Sequence, residues 1–218
     1  FYRSSRHLSD YIRYVITEKG ESAWIAQRNG RTKDGNDVTD QGIIKMFCMS
    51  CAEDKIKAID DLHIVPIAVS YEWEPCDVLK TLELYESQFS KYTKKPGEDL
   101  NSILTGIVQE KGRVHFELCE PLSYAELSKF DGLTNNDYHK QVARLIDRRI
   151  RAAYRLYPNN YIAYDLRYGT TKYKHCYTVA EKEAFLKRLQ TLEQYDTCDV
   201  DKLKDIFLGI YSNPVNNK

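Results

Sequence analysis

The segment with the clearest potential for chemistry is a basic, glycine-containing loop near the start of the chain. It reads RNGRTKDG and runs from Arg28 to Gly35. An arginine can grip a phosphate with a bidentate fork, a lysine adds a point charge, and a threonine adds a hydroxyl donor. Glycine leaves backbone N–H groups open to an anion. We therefore predict a phosphate-binding loop with these ligands: Arg31, Lys33, Gly30 and Thr32, with Arg28 as a secondary candidate.

The same loop also fits a solvated, charged turn between two core elements. Three carboxylates, Asp34, Asp37 and Asp40, lie in or just after it and dilute its positive charge. Glycine-rich basic turns are common on protein surfaces. The residue types of the loop therefore leave both interpretations open.

The elements on either side of the loop would have to position it. The apolar run Ala23–Gln27 predicts a strand, and Gly42–Cys51 has a helical pattern with Thr39 or Asp40 as its cap. A strand that enters a glycine-rich turn ahead of a helix would direct backbone N–H groups at an anion.

Two more strands are predicted further along the chain. His63–Tyr71 is a dense β-branched run, in which we expect Val65, Ile67 and Val69 to be buried, and Gly112–Leu118 alternates. Strands separated by helical patterns predict an α/β fold with a mostly parallel sheet flanked by helices. The chain is helical in character after this, so we predict an α/β domain over residues 1–123 and a helical extension packed on it over residues 124–218.

Composition limits the classes of function. The 218 residues include 32 basic and 32 acidic side chains, so the net charge is zero and an anion site must be local. No apolar run approaches the length of a membrane span, and no signal peptide is recognisable. The first residue is Phe1, and we expect the chain to begin inside a larger protein.

The six cysteines predict reduced thiols in a cytoplasmic setting. Cys48 and Cys51 form a C-x-x-C, but the surrounding pattern is helical and apolar and no second ligand pair follows. We expect two buried thiols there, and no metal site.

Three segments, in order along the chain, resemble blocks of the glycerolipid acyltransferase superfamily. IAQRNGRTKDG is similar to the family's glycine–arginine block, E-G-G-R-S-R-x-G. LHIVPIAVSYEWEPCD (Leu62–Asp77) resembles the family's I-P-I-x-x-G-Y-E strand, and GRVHFELCEPL (Gly112–Leu122) resembles a strand that ends F-G-x-P-L. In the first block, the following residues match position by position: Gly30, Arg31, Thr32, Lys33 and Gly35. Arg28 or Asn29 stands where many members have Glu.

The resemblance implies an acyltransferase of phospholipid synthesis. Such an enzyme moves a fatty acyl group from a coenzyme A or acyl-carrier-protein thioester to a hydroxyl of glycerol 3-phosphate or 1-acyl-glycerol 3-phosphate. A His–Asp pair serves as general base, and the glycine–arginine block binds the acceptor's phosphate. The resemblance implies no cofactor, no metal and no nucleic acid. It implies a cytoplasmic location and allows a peripheral position on the inner face of the membrane.

The family's catalytic signature, H-x-x-x-x-D, is missing. None of the five histidines is followed five residues later by an aspartate. His7 and Asp10 have the wrong spacing, and His115 with Glu120 lies in the wrong order relative to the loop. We therefore expect an incomplete chain with no catalytic residue of its own, whose His–Asp motif precedes Phe1.

The alternative is a non-enzymatic α/β domain that binds an anion or a nucleic acid. It would use the basic loop, the 17 tyrosines and the arginine-rich helix Ala143–Arg155. Zero net charge opposes it, and no RNA-binding signature is present. The same arginine helix could instead lie on a membrane surface beside a lipid-using site.

Overall fold

The computed structural model describes residues 2–28, 30 and 32–218. The α-helices in this part of the chain are, in order, α1 (Tyr2–Arg13), α2 (Gln41–Cys48), α3 (Lys55–Asp60), α4 (Asp77–Ser87), α5 (Glu98–Val108), α6 (Tyr124–Leu127), α7 (Asn135–Ala153), α8 (Pro158–Tyr168), α9 (Val179–Gln190) and α10 (Val200–Asn216). The strands are β1 (Ile67–Tyr71) and β2 (Val114–Leu118), which pair with each other. A π-helical turn, Tyr14–Glu18, extends α1.

The predicted fold class is wrong. In the described residues the strands form one two-stranded antiparallel sheet, and helices make up most of the structure, so there is no mostly parallel sheet flanked by helices. The predicted strand Ala23–Gln27 is also absent. Residues 23–26 are exposed, with Trp24 73% exposed, and Gln27 O accepts a hydrogen bond from Asp40 N at 2.9 Å. A strand exists only where a neighbour accepts its ladder of hydrogen bonds, and no strand among residues 2–28, 30 and 32–218 pairs with this run.

The β1 strand is where the sequence predicts it, but its burial is inverted. Ala68 and Ser70 are fully buried, whereas Ile67 and Val69 are half-buried and Val65 is 40% exposed. Because successive side chains of a strand point to opposite faces, the prediction of a buried Val65, Ile67 and Val69 is wrong by one residue.

The chain divides into two compact units, each built from separate segments. The first unit comprises Phe1–Arg31, Asp37–Ala68 and Glu117–Ala153, and the second comprises Thr32–Asn36, Val69–Phe116 and Tyr154–Lys218. The predicted domain boundary between residues 123 and 124 stays a prediction.

The core of the first unit is built around α2 and α7. On α7, Val142, Leu145, Ile146 and Ile150 are buried at helical spacing. They join Ile44 of α2 and their neighbours in one apolar cluster. The α2 helix begins as predicted, because the Asp40 carboxylate caps it by accepting a hydrogen bond from Gly42 N at 2.8 Å.

The core of the second unit is aromatic. Phe185 of α9 packs against Phe207 and Tyr211 of α10, with ring centroids 5.8 and 5.3 Å away. Trp73 stacks on Phe185 at 5.9 Å. Helix α9 begins at the predicted capping box, in which Thr178 and Glu181 each accept a backbone N–H of the other residue. The start of α4 and the segment Val69–Phe116, which includes one end of each strand, belong to this unit.

Candidate functional site

The predicted phosphate ligands are not all in one compact unit. Arg28 and Gly30 belong to the first unit, whereas Thr32 and Lys33 belong to the second. Arg31 lies outside the described residues. Arg28 and Thr32 are half-buried, and Gly30 is exposed with a positive φ of 77°.

The loop does not lie at the start of a helix. The next helix, α2, begins only at Gln41, and its N-terminal Gly42 N–H is already taken by the Asp40 side chain. The expected arrangement of strand, glycine-rich turn and helix N-terminus is therefore not present. Phosphate recognition here would depend on side-chain cations.

Lys33 already has an acidic partner. Its ammonium forms an ion pair with Glu83 of α4, whose side chain is 15% exposed, and it lies 5.8 Å from the ring centroid of Tyr92. A phosphate would have to compete with the Glu83 carboxylate for this charge. The ion pair thus gives Lys33 a structural role in the second unit.

The turn around Gly35 is held by α10. Asn213 Nδ2 donates to Asp34 O at 2.7 Å, and Asn217 Nδ2 donates to Asn36 Oδ1 at 3.0 Å. Gly35 has a φ of 75°, and a Cβ atom there would lie 2.3 Å from the carbonyl oxygen of Ile210. The glycine is needed for this close approach, whether or not the loop binds an anion.

The second and third resembling segments meet at a carboxylate. Glu72, the last residue of the VPIAVSYE match, accepts bonds from Arg113 Nε at 3.0 Å, Arg113 Nη2 at 2.8 Å and Arg113 N at 2.9 Å. These hydrogen bonds lower the pKa of Glu72. Gly112, with a φ of 59°, leaves room for the carboxylate, because a Cβ there would lie 2.6 Å from Glu72 Oε2. Asn159 Nδ2 fixes the backbone beside it by donating to Glu72 O at 2.6 Å.

A buried polar network in the second unit was not anticipated. The Asp77 side chain, 1% exposed, accepts from Arg188 Nη2 at 2.5 Å, from Arg188 Nε at 3.1 Å and from Tyr211 Oη at 2.9 Å. Burial raises the pKa of Tyr211 well above its ordinary value, so the phenol stays protonated and donates. The sequence signal that could have revealed the network is Asp77 at the first position of α4, directly after Cys76.

This network borders a cleft of about 320 Å³. Its polar lining includes Thr105 of α5, Arg188 of α9, and Gln109 and Thr191, which directly follow these two helices. The positive charge of Arg188 is balanced by Asp77, so the cleft has no excess of positive charge for a phosphate. It is a polar cleft at the edge of a structural ion pair.

The arginine-rich helix is a core element. Arg149 of α7 binds both carboxylate oxygens of Glu126 at 2.6 Å, and Arg151 donates to Asp37 O at 3.3 Å. Asp147 is buried and accepts from Thr39 Oγ1 at 2.6 Å. The apolar face of α7 is thus buried in the first unit, whereas Arg144 and Arg148, one turn apart on its other face, are exposed.

The histidines and cysteines of the described residues form no metal-binding group. His7 is exposed, and Asp10 accepts from Arg6 Nε at 3.1 Å. Cys48 and Cys51 are buried and free, which confirms the predicted buried thiols, and burial raises the pKa of Cys48 to about 12. In the part of the chain that the structure describes, no group of three His, Cys, Asp or Glu side chains could hold a metal ion.

Among the described helices, none combines the length and the apolar character needed to cross a bilayer. Comparison with known proteins adds no relative to this description. No family model, curated protein or solved structure matches the chain.

Proposed function

We propose that the chain is part of a glycerolipid acyltransferase and binds the phosphate of its acceptor. The acceptor is glycerol 3-phosphate or its 1-acyl form, and the fatty acyl group comes from a coenzyme A or acyl-carrier-protein thioester. The observation that carries the proposal is the contact between the second and third resembling segments through Glu72 and Arg113.

This contact supports the proposal because the two segments resemble separate blocks of one family and lie side by side in the fold. They are far apart along the chain, yet their strands, β1 and β2, are neighbours. Glu72, which matches the glutamate of the family's second block, forms an ion pair with Arg113 of the third segment. Chance similarity in two unrelated surface segments would give no reason for them to pair. The proposal rests on these segments and not on the overall architecture, which lacks the parallel sheet that the resemblance implied.

Phosphate recognition is assigned to the basic loop, with Arg31 as the principal ligand. A bidentate arginine–phosphate contact contributes about 2–3 kcal/mol, since both partners are charged. Arg28 is the second candidate cation. Lys33 would contribute only after it leaves Glu83, so we expect it to matter less than Arg31.

Acyl transfer also requires a general base on the acceptor hydroxyl. The proposed phosphate-binding cations cannot provide it, because the side chains of Arg28, Arg31 and Lys33 are hydrogen-bond donors only near neutral pH. Loss of a positioned base removes about 10²–10⁴-fold of the rate. We therefore expect Phe1–Lys218 alone to bind the acceptor without detectable acyl transfer in a thiol-release assay. A lipid acceptor would put the reaction at a membrane surface, so peripheral membrane association is part of the proposal.

The test is calorimetric titration of Phe1–Lys218 with glycerol 3-phosphate, with glycerol as the ligand that lacks the phosphate. Arg31→Ala should weaken binding roughly 30- to 150-fold, which corresponds to about 2–3 kcal/mol. Arg148→Ala, at an exposed position of α7, is the matched control and should leave the affinity unchanged. Equal affinity for glycerol and glycerol 3-phosphate, or full affinity in Arg31→Ala, would contradict the proposal.

A further inference from the structure

Helix α5 of the second unit is amphipathic, but its apolar face is turned outward. Five aliphatic side chains at helical spacing are each more than half exposed: Leu100 (62%), Ile103 (55%), Leu104 (52%), Ile107 (70%) and Val108 (79%). We call this row the α5 stripe. Soluble proteins seldom leave so regular an apolar face uncovered unless something binds to it.

The inward face of α5 consists of small residues. Ser102 is buried, and its carbonyl oxygen lies 3.5 Å from the Cys76 thiol, while Gly106 packs near the same sulfur. The helix is therefore attached to its unit through Ser102 and Gly106. This is the reverse of a core helix such as α7, which buries its aliphatic side chains.

Positive charges flank the α5 stripe at both ends. Lys91, Lys94 and Lys95 precede the helix and are exposed, with Lys94 and Lys95 in solvent-exposed ion pairs with Asp99 and Glu86, and Lys111 follows it. Residues 91–111 contain these four basic side chains against three acidic ones, Glu98, Asp99 and Glu110, a net charge of +1, whereas the whole chain has a net charge of zero. An exposed apolar face bordered by lysines is typical of helices that lie in the headgroup region of an anionic bilayer.

We infer that the α5 stripe docks on the surface of an anionic phospholipid bilayer. The inference rests on the proposed function for its choice of lipid as the partner, since that function uses a lipid acceptor. The charges argue against a second copy of the chain. In an antiparallel pair of α5 helices, Lys91, Lys94 and Lys95 of one copy would face Lys111 of the other, and in a parallel pair the lysines would face each other. Like charges would oppose both arrangements.

Vesicle flotation of Phe1–Lys218 tests the inference directly. The protein should float with vesicles of equimolar phosphatidylglycerol and phosphatidylcholine, bind phosphatidylcholine vesicles weakly, and be released by high salt. The variant Ile103→Asp/Ile107→Asp changes two exposed side chains and should reduce binding at least about tenfold. Val179→Asp, at an exposed apolar position of α9, is the matched control and should float like the unmodified protein.

Two further measurements separate the possible failures. The Ile103→Asp/Ile107→Asp variant should bind water-soluble glycerol 3-phosphate as before, so lost vesicle binding with retained phosphate binding supports the α5 stripe specifically. Light scattering should show a monomer for both proteins. No flotation, flotation that survives the double substitution, or a dimer that the substitution dissociates would overturn the inference, even if the phosphate site were real.

Discussion

Replacing Asp77 with alanine should destabilise the second unit by about 3 kcal/mol. The side chain is 1% exposed and accepts four hydrogen bonds, two from Arg188, one from Tyr211 Oη and one from Val78 N. The substitution leaves Arg188 without its counter-charge and the buried Tyr211 hydroxyl without an acceptor.

The magnitude follows from the burial of the two partners. Removing one member of a buried ion pair costs about 3–5 kcal/mol. The Arg188 side chain is 30% exposed, so water restores part of its solvation and places the cost near the lower limit. In Asp77→Ala/Arg188→Ala both charges are gone, so the double variant should be at least about 2 kcal/mol more stable than the sum of the single effects predicts.

Urea unfolding followed by tryptophan fluorescence would measure this. Trp73 reports on the second unit because it stacks on Phe185 and meets Tyr211 edge-on at 6.3 Å. Trp24, the other tryptophan, belongs to the first unit and is replaced by phenylalanine in all variants. A loss below about 1 kcal/mol in Asp77→Ala, or a coupling energy near zero, would refute the view that Asp77 is an essential buried counter-charge.

Acid should weaken the first unit through Glu126, because hydrogen bonds from Ser123 and Arg149 lower the pKa of Glu126 to about 2 from an ordinary value of 4.5. A lowered folded-state pKa gives stability that is present above pH 4.5 and is lost as the pH falls toward 2. In urea titrations, the difference in unfolding free energy between the unmodified protein and Glu126→Gln should therefore shrink over that pH range. A difference that does not depend on pH would contradict this prediction. Cys48 should react with Ellman's reagent at pH 8 at least about a hundredfold more slowly in the native protein than in urea, because burial raises the pKa of Cys48 to about 12 and little thiolate forms. Mass mapping of the labelled thiols would measure this, and equal rates in the two states would show that Cys48 is accessible.

Local signals in the sequence predicted several elements well. Asp40 and the Thr178 capping box define the starts of α2 and α9, and Gly20, with a φ of 66°, closes the first helical region. These predictions succeed because a cap is settled within one helical turn, by residues that are neighbours in sequence.

Predictions that depended on distant partners failed. Ala23–Gln27 has the composition of a strand, but no neighbour in the described residues pairs with it. The strand Ile67–Tyr71 was located by its β-branched residues, but its buried face is Ala68 and Ser70. Which face of a strand is covered depends on segments far away in the sequence, and a short apolar run carries little information about them.

The candidate site shows the same contrast between local signals, which the sequence reveals, and distant partners, which it does not. Residue types identified the basic loop, but not that Glu83, far along the chain, holds Lys33. Two other ion pairs also link residues more than 40 positions apart: Arg113 with Glu72, and Arg188 with Asp77. Single-sequence reasoning had no means of pairing these charges.

The interleaved composition of the two units affects the order in which they can form during synthesis. Thr32–Asn36 leaves the ribosome early. The hydrogen bond from Asn213 of α10 to Asp34 O can form only after 179 more residues have been synthesised. The second unit therefore cannot be completed until α10 has been made, and the α5 stripe is exposed on an unfinished unit throughout that interval. Contacts of such long sequence separation slow folding, and exposed apolar surface on an intermediate promotes aggregation. This chain should consequently depend more on chaperones than a protein of equal size whose units are continuous in sequence.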